Sequence, residues 1–121
     1  MLLLLFFSFQ KQADFVPQPL GLTLTYLDQG RLKEAEELGV QVLEIRKRLL
    51  GEEHPGTLTS MNNLALTYYA SKSQGYYAKA VALMEECFQM RERVLGPQHP
   101  FTVSSLSYLT EWKLENVDIG G

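Results

Sequence analysis

Leu49-Leu-Gly-Glu-Glu-His-Pro-Gly-Thr-Leu-Thr-Ser-Met-Asn-Asn-Leu-Ala-Leu-Thr-Tyr68 decides the fold, because much of the remaining chain is a partial copy of this stretch or of its flanks. Its front half returns as Leu95-Gly-Pro-Gln-His-Pro-Phe-Thr-Val-Ser-Ser105: Gly51 matches Gly96, His54 matches His99, Pro55 matches Pro100 and Thr57 matches Thr102, each pair 45 positions apart. Its back half has an upstream counterpart, since Leu22, Leu24, Thr25 and Tyr26 precede Leu64, Leu66, Thr67 and Tyr68 by 42 positions. Gly30 and Ala35 precede Gly75 and Ala80 by 45, which places an insertion between Tyr68 and Gly75. A period of this length with helical content points to a solenoid, whose units cannot bury their apolar faces alone and stack on their neighbours.

The turn residues then divide the chain into five expected helices. Pro17 and Pro19 forbid a regular helix before Leu20, so the first runs over 20–28 with Leu20, Leu24 and Leu27 at helical spacing. The second, Arg31 to Leu49, carries Ala35, Leu38, Val42, Ile45 and Leu49 at intervals of three and four, the spacing of one buried stripe. Glu34, Glu36 and Glu37 in its first half and Arg46, Lys47 and Arg48 at its end complement the helix dipole and read as a solvated face. Gly51 stops it by adopting a left-handed conformation, and Pro55, with its φ already set, restarts helix. The third helix, Pro55 to Ala70, turns Leu58, Met61, Leu64, Ala65 and Tyr68 inward; the fourth, Tyr76 to Leu95, does the same with Ala80, Leu83, Met84, Cys87 and Val94. The fifth runs from Phe101 to Glu115. The expectation is an all-α solenoid of antiparallel helix pairs, of about two and a half repeats. Residues 20–115 form the repeats, between an apolar segment and linker at 1–19 and a tail at 116–121.

Composition narrows the function. With 45% apolar and 21% charged residues over 121 positions, the chain is an ordinary globular sequence, and its formal charge of -3 comes without a basic block of the kind that holds phosphates. Nucleic acid is therefore not an expected partner. The single cysteine excludes an internal disulfide and fits a reducing, cytoplasmic compartment. Met1-Leu-Leu-Leu-Leu-Phe-Phe-Ser-Phe9 has the apolar core of a signal peptide but no preceding basic residue and no small-x-small cleavage site. It is also far shorter than the roughly 20 residues that span a bilayer. It reads as the end of a neighbouring helix, or as a stretch foreign to the repeat.

These residues resemble the tetratricopeptide repeat, in the long variety found in kinesin light chains and in the arrays of some fungal and bacterial nucleotide-binding signalling proteins. The resemblance covers about residues 20 to 110. Tyr26-Leu-Asp-Gln-Gly-Arg-Leu-Lys-Glu-Ala35 is similar to the family's turn between helices A and B. Leu43-Glu-Ile-Arg-Lys-Arg-Leu-Leu-Gly-Glu-Glu-His-Pro55 is similar to the end of helix B and the link onward, and Ser60-Met-Asn-Asn-Leu-Ala-Leu-Thr-Tyr68 to helix A. In repeat one the joint and half of helix A are missing, and in repeat three Trp112 and Lys113 stand where Thr67 and Tyr68 stand in repeat two.

The resemblance implies a non-enzymatic interaction module whose A helices line a concave groove for a peptide or protein partner, with no cofactor. In that geometry Asn62 points into the groove, together with Thr59, Leu66 and Tyr69 of the same helix and Leu24, Leu27, Ser107 and Glu111 of the flanking A helices. Its amide could pair with the backbone of an extended peptide. The other reading of an asparagine here is a bond across to the next repeat, and for Asn63 that is the better one. The alternative function is a structural or autoinhibitory repeat segment of a larger signalling protein. His54 and His99 stand one repeat apart before prolines, which favours capping over metal binding or catalysis, and Cys87 lies on a buried stripe as a core thiol. No nucleophile motif, metal spacing or phosphate loop occurs. Both ends are expected to lack caps and to support self-association, through the apolar start and through Phe101, Leu106, Leu109 and Trp112.

Overall fold

Glycine and proline chemistry at two equivalent joints sets the course of the chain. The computed structural model describes residues 31–71 and 74–120, with side chains described at 31–71 and 75–116. Four helices follow one another there: α1 (Leu32–Leu50), α2 (Pro55–Ser71), α3 (Gln74–Leu95) and α4 (Pro100–Gly120), and the described residues hold no strand. They pack in order, α1 on α2, α2 on α3 and α3 on α4, as an all-α solenoid does. The expected first helix, with Leu24 and Leu27, and the apolar start lie outside the described residues. The inserted residues lengthen helices, for α2 continues to Ser71 and α3 begins at Gln74. The expected tail is largely helical as well: nothing between Glu115 and Gly120 breaks the pattern, and α4 ends only at Gly120.

Each joint is built in the same way. Gly51 and Gly96 adopt φ of 100° and 98°. The ψ of 161° at Gly51 places it beyond the left-handed helical well expected of it, in a region open essentially to glycine alone. The next helix starts at a histidine that serves as its N-cap. The backbone oxygens of His54 and His99 accept from the amides of Leu58 and Val103, both at 3.0 Å. Their Nδ1 atoms accept from the amides of Gly56 (2.9 Å) and Phe101 (3.0 Å), groups that the helix itself leaves without partners. Thr57 closes the first joint by donating to the Gly51 carbonyl at 2.8 Å. His54→Ala is expected to lower stability by about 1 kcal/mol and His54→Asn, which restores an acceptor, by less. The urea midpoint of each variant checks this, and an unshifted alanine variant would show that the Nδ1 bond adds nothing.

The core is a chain of contacts around Leu58, Met61, Leu64 and Ala65 of α2, meeting Leu43 of α1 and Ala80, Met84 and Cys87 of α3, then Leu109 and Trp112 of α4. Ala35 and Ala80 are wholly buried, as small residues at helix crossings should be. Gly39 allows a further close approach, since a Cβ there would lie 3.0 Å from Leu64 Cδ1. The apolar stripes need correction at one repeated place. Leu49 is 63% and Val94 39% exposed, and the buried positions three residues before them belong to Arg46 and Arg91, at 1% and 4%. Arg46 is thus no member of a solvated face. At the far end Leu109 and Trp112, expected to be uncovered, are buried against α3, whereas Phe101 and Leu106 are half exposed.

Candidate protein-interaction site

The two buried arginines explain how neighbouring units are locked. Arg46 Nη1 donates to the Gly56 carbonyl (2.8 Å) and Ser60 Oγ (3.0 Å); 45 residues on, Arg91 Nη1 donates to the Phe101 carbonyl (3.0 Å) and Ser105 Oγ (2.9 Å). Each guanidinium therefore reaches from the end of one helix into the first turns of the next and binds a part-buried carbonyl and a buried hydroxyl there. Burial pushes both arginines below their usual pKa. The Phe101 ring, which replaces Gly56 in the second joint, lies 5.2 Å from the Arg91 guanidinium and adds a cation–π contact. An apolar-stripe reading passes over these arginines, yet Arg46, Ser60 and Thr57 recur as Arg91, Ser105 and Thr102 at the period that exposed the turns.

Asn62 belongs to this network. It is buried, and its Oδ1 accepts from Arg91 Nη1 (3.3 Å) and from Ser105 Oγ (3.4 Å) of α4. Because arginine can only donate, the oxygen must be the end that faces it, which leaves only the NH₂ for any other partner. The bond across to the next repeat, expected more of Asn63, is made by Asn62. Among the other residues expected at the site, Thr59 donates back to the Pro55 carbonyl (3.1 Å) and Leu66 packs half-buried against the core. Tyr69 stacks on Trp112 of α4 with ring centroids 4.4 Å apart. Ser107 and Glu111 of α4 are exposed. The structure thus joins α2 to α4 at two levels, Asn62–Ser105 and Tyr69–Trp112, with Ser107 and Glu111 free to solvent beside them. Leu24 and Leu27 lie outside the described residues.

The remaining candidate groups have structural surroundings. Cys87 donates to the Leu58 carbonyl (3.2 Å) and lies 3.9 Å from Ser105 Oγ. Burial pushes its thiol up despite the nearby Arg91, which keeps it protonated and unreactive. Among the described residues no three of His, Cys, Asp and Glu are grouped to hold a metal ion, and no helix is long and apolar enough to cross a membrane.

Two family models, each described as tetratricopeptide repeat, match residues 57–101 and residues 20–75, and the helix pairs and joints coincide with those matches. The chain belongs to the tetratricopeptide repeat family. Its repeats are of the kinesin light chain kind. Two crystal structures of kinesin light chain nearly identical TPR-like repeats from Podosopora anserina, one a single-residue variant, are each 31% identical to it with a TM-score of 0.71. Each match covers 83% of this chain and 46% of the other, so this tetratricopeptide protein spans less than half the length of those arrays. Among functionally curated proteins none matches it. Repeats of this family generally mediate protein–protein interaction, and the family is generally one of non-enzymatic scaffolds.

Proposed function

We propose that the chain is a non-enzymatic, cytoplasmic interaction module that presents a concave groove along α2 and α4 to an extended peptide or protein segment. The observation that carries this reading is the fixed Asn62 amide: with Oδ1 held by Arg91 and Ser105, its NH₂ is pre-oriented to donate to a peptide carbonyl. Ser107 and Glu111 line the same side, and Tyr69 supplies an apolar wall stacked in place by Trp112. The length of the related arrays favours a second reading, a repeat segment of a larger signalling protein whose groove is filled by its own polypeptide.

Asn62→Asp tests the site because it keeps the acceptor facing Arg91, supplies that cation with a counter-charge and removes only the donor. Peptides selected from a random library on the parent chain are expected to bind this variant about 1–2 kcal/mol more weakly, the range for an unpaired polar group, while the urea midpoint holds or rises. Unchanged affinity with retained fold would remove Asn62 from the site.

A further inference from the structure

The described walls of the proposed groove carry free charge of one sign. α2 has no Asp, Glu, Lys or Arg between Pro55 and Ser71, so its side is neutral. On α4 the described charged side chains are Glu111, Lys113 and Glu115, and Lys113 reaches to α3, where it pairs with Glu85 at 3.2 Å. Glu111 and Glu115 are exposed and make no ion pair among the described residues. Glu111 stands 45 positions after Leu66, so a carboxylate occupies the place that the preceding repeat gives to an apolar side chain. It follows Tyr108 by three, the spacing of neighbours on one helix face. Tyr108 and Tyr69 are the half-buried rings that flank the indole of Trp112, at 5.8 and 4.4 Å. These positions do not owe their exposure to the lack of a neighbour. Their counterparts on α2, Asn63 and Leu66, are only half-buried although α4 lies against that helix.

Asn62 is an independent sign of a ligand. It is 8% exposed, yet its NH₂ makes no hydrogen bond among the described residues and is not sealed from water, while its Oδ1 is held by Arg91 and Ser105. Glu111 lies six residues beyond Ser105, about 9 Å along α4, which an extended chain covers in about three residues. One peptide can therefore meet both groups. We infer that the partner is a basic segment, an extended peptide whose lysine or arginine sets its cation between the Glu111 carboxylate and the Tyr108 ring while its backbone accepts from Asn62. A carboxylate beside aromatic rings attracts a cation twice, through its charge and through the ring faces, and arginine fits both. An acidic segment would meet Glu111 and Glu115 with no cation on either described wall to receive it. The inference rests on the groove reading above and adds to it the charge of the partner.

Random peptides displayed on phage, selected in parallel on the full parent chain and on Glu111→Lys, test it. The parent set is expected to be enriched in lysine and arginine, and the Glu111→Lys set in aspartate and glutamate. Glu111 is exposed and forms no ion pair, so circular dichroism should report the same helix in both chains. A synthetic peptide from the parent set should bind Glu111→Gln about three- to fivefold more weakly than the parent. Replacing its basic residue by glutamine should cost the parent the same factor and leave binding to Glu111→Gln unchanged, the mark of a direct pair. Two selections of the same charge composition, or a cycle without coupling, would overturn the inference; if Asn62→Asp still weakened those peptides, the groove would stand with a partner of other chemistry. Failure to enrich any peptide on either chain would overturn the groove and the basic partner together.

Discussion

Arg91→Ala is expected to lower the unfolding free energy by about 3–5 kcal/mol, read as a fall in the urea midpoint at constant slope. The truncation takes from the Phe101 carbonyl, Ser105 Oγ and Asn62 Oδ1 the charged donor they share, a bond worth about 1.5–3 kcal/mol to each at most, although Ser105 Oγ still donates to Asn62 Oδ1. It also opens a cavity the size of the guanidinium stem. The contrasting variant is Arg91→Met combined with Ser105→Ala and Asn62→Leu. Removing the polar groups together exchanges a buried polar cluster for an apolar one, and this triple change is expected to lie close to the parent. A single alanine variant within about 1 kcal/mol of the parent would show that the joint opens to water when the arginine is lost.

That contrast bears on what the sequence could tell. Helix order and joints were legible because glycine, proline and a capping side chain act locally: Gly51, His54 and Pro55 need no distant contact to end one helix and begin the next. The interior was legible where a small or apolar residue meets another, as at Ala35, Ala80 and Leu58. Reading stopped at Arg46 and Arg91, whose burial depends on carbonyl and hydroxyl groups ten to fourteen residues ahead: charge marked Arg46 as surface, and Arg91 was assigned to neither face. That misplacement carried Leu49 and Val94 inward with it. For the candidate site, repeat geometry singled out Asn62, but its bonding depends on Arg91. The side chains that hold it could be named only once the arginine was found. Leu109 and Trp112 were misjudged for a related reason, since a helix uncovered on one side still buries the side that faces its predecessor.

Trp112→Ala carries the other large expected effect, a loss of about 3–5 kcal/mol for truncating a buried aromatic. Trp112 stands where the preceding repeat has Thr67, and both are buried, so the third unit fills with an indole a place the second fills with a small side chain. The indole stacks on Tyr69 of α2 at 4.4 Å, meets Tyr108 at 5.8 Å, and its backbone carbonyl accepts from the Tyr77 hydroxyl of α3 at 3.3 Å. It thus ties α4 to both preceding helices at the end remote from the Arg91 joint, and its loss should loosen α4 first. As the chain's single tryptophan, it also reports on itself. In a parent background, Tyr69→Ala should shift its emission to the red by admitting water to the stacked face, with a smaller loss of stability than Trp112→Ala. A Trp112→Ala protein that unfolds at the parent midpoint would mean that α4 is held by the arginine joint alone, and an unshifted emission in Tyr69→Ala would mean that the two rings do not shield one another.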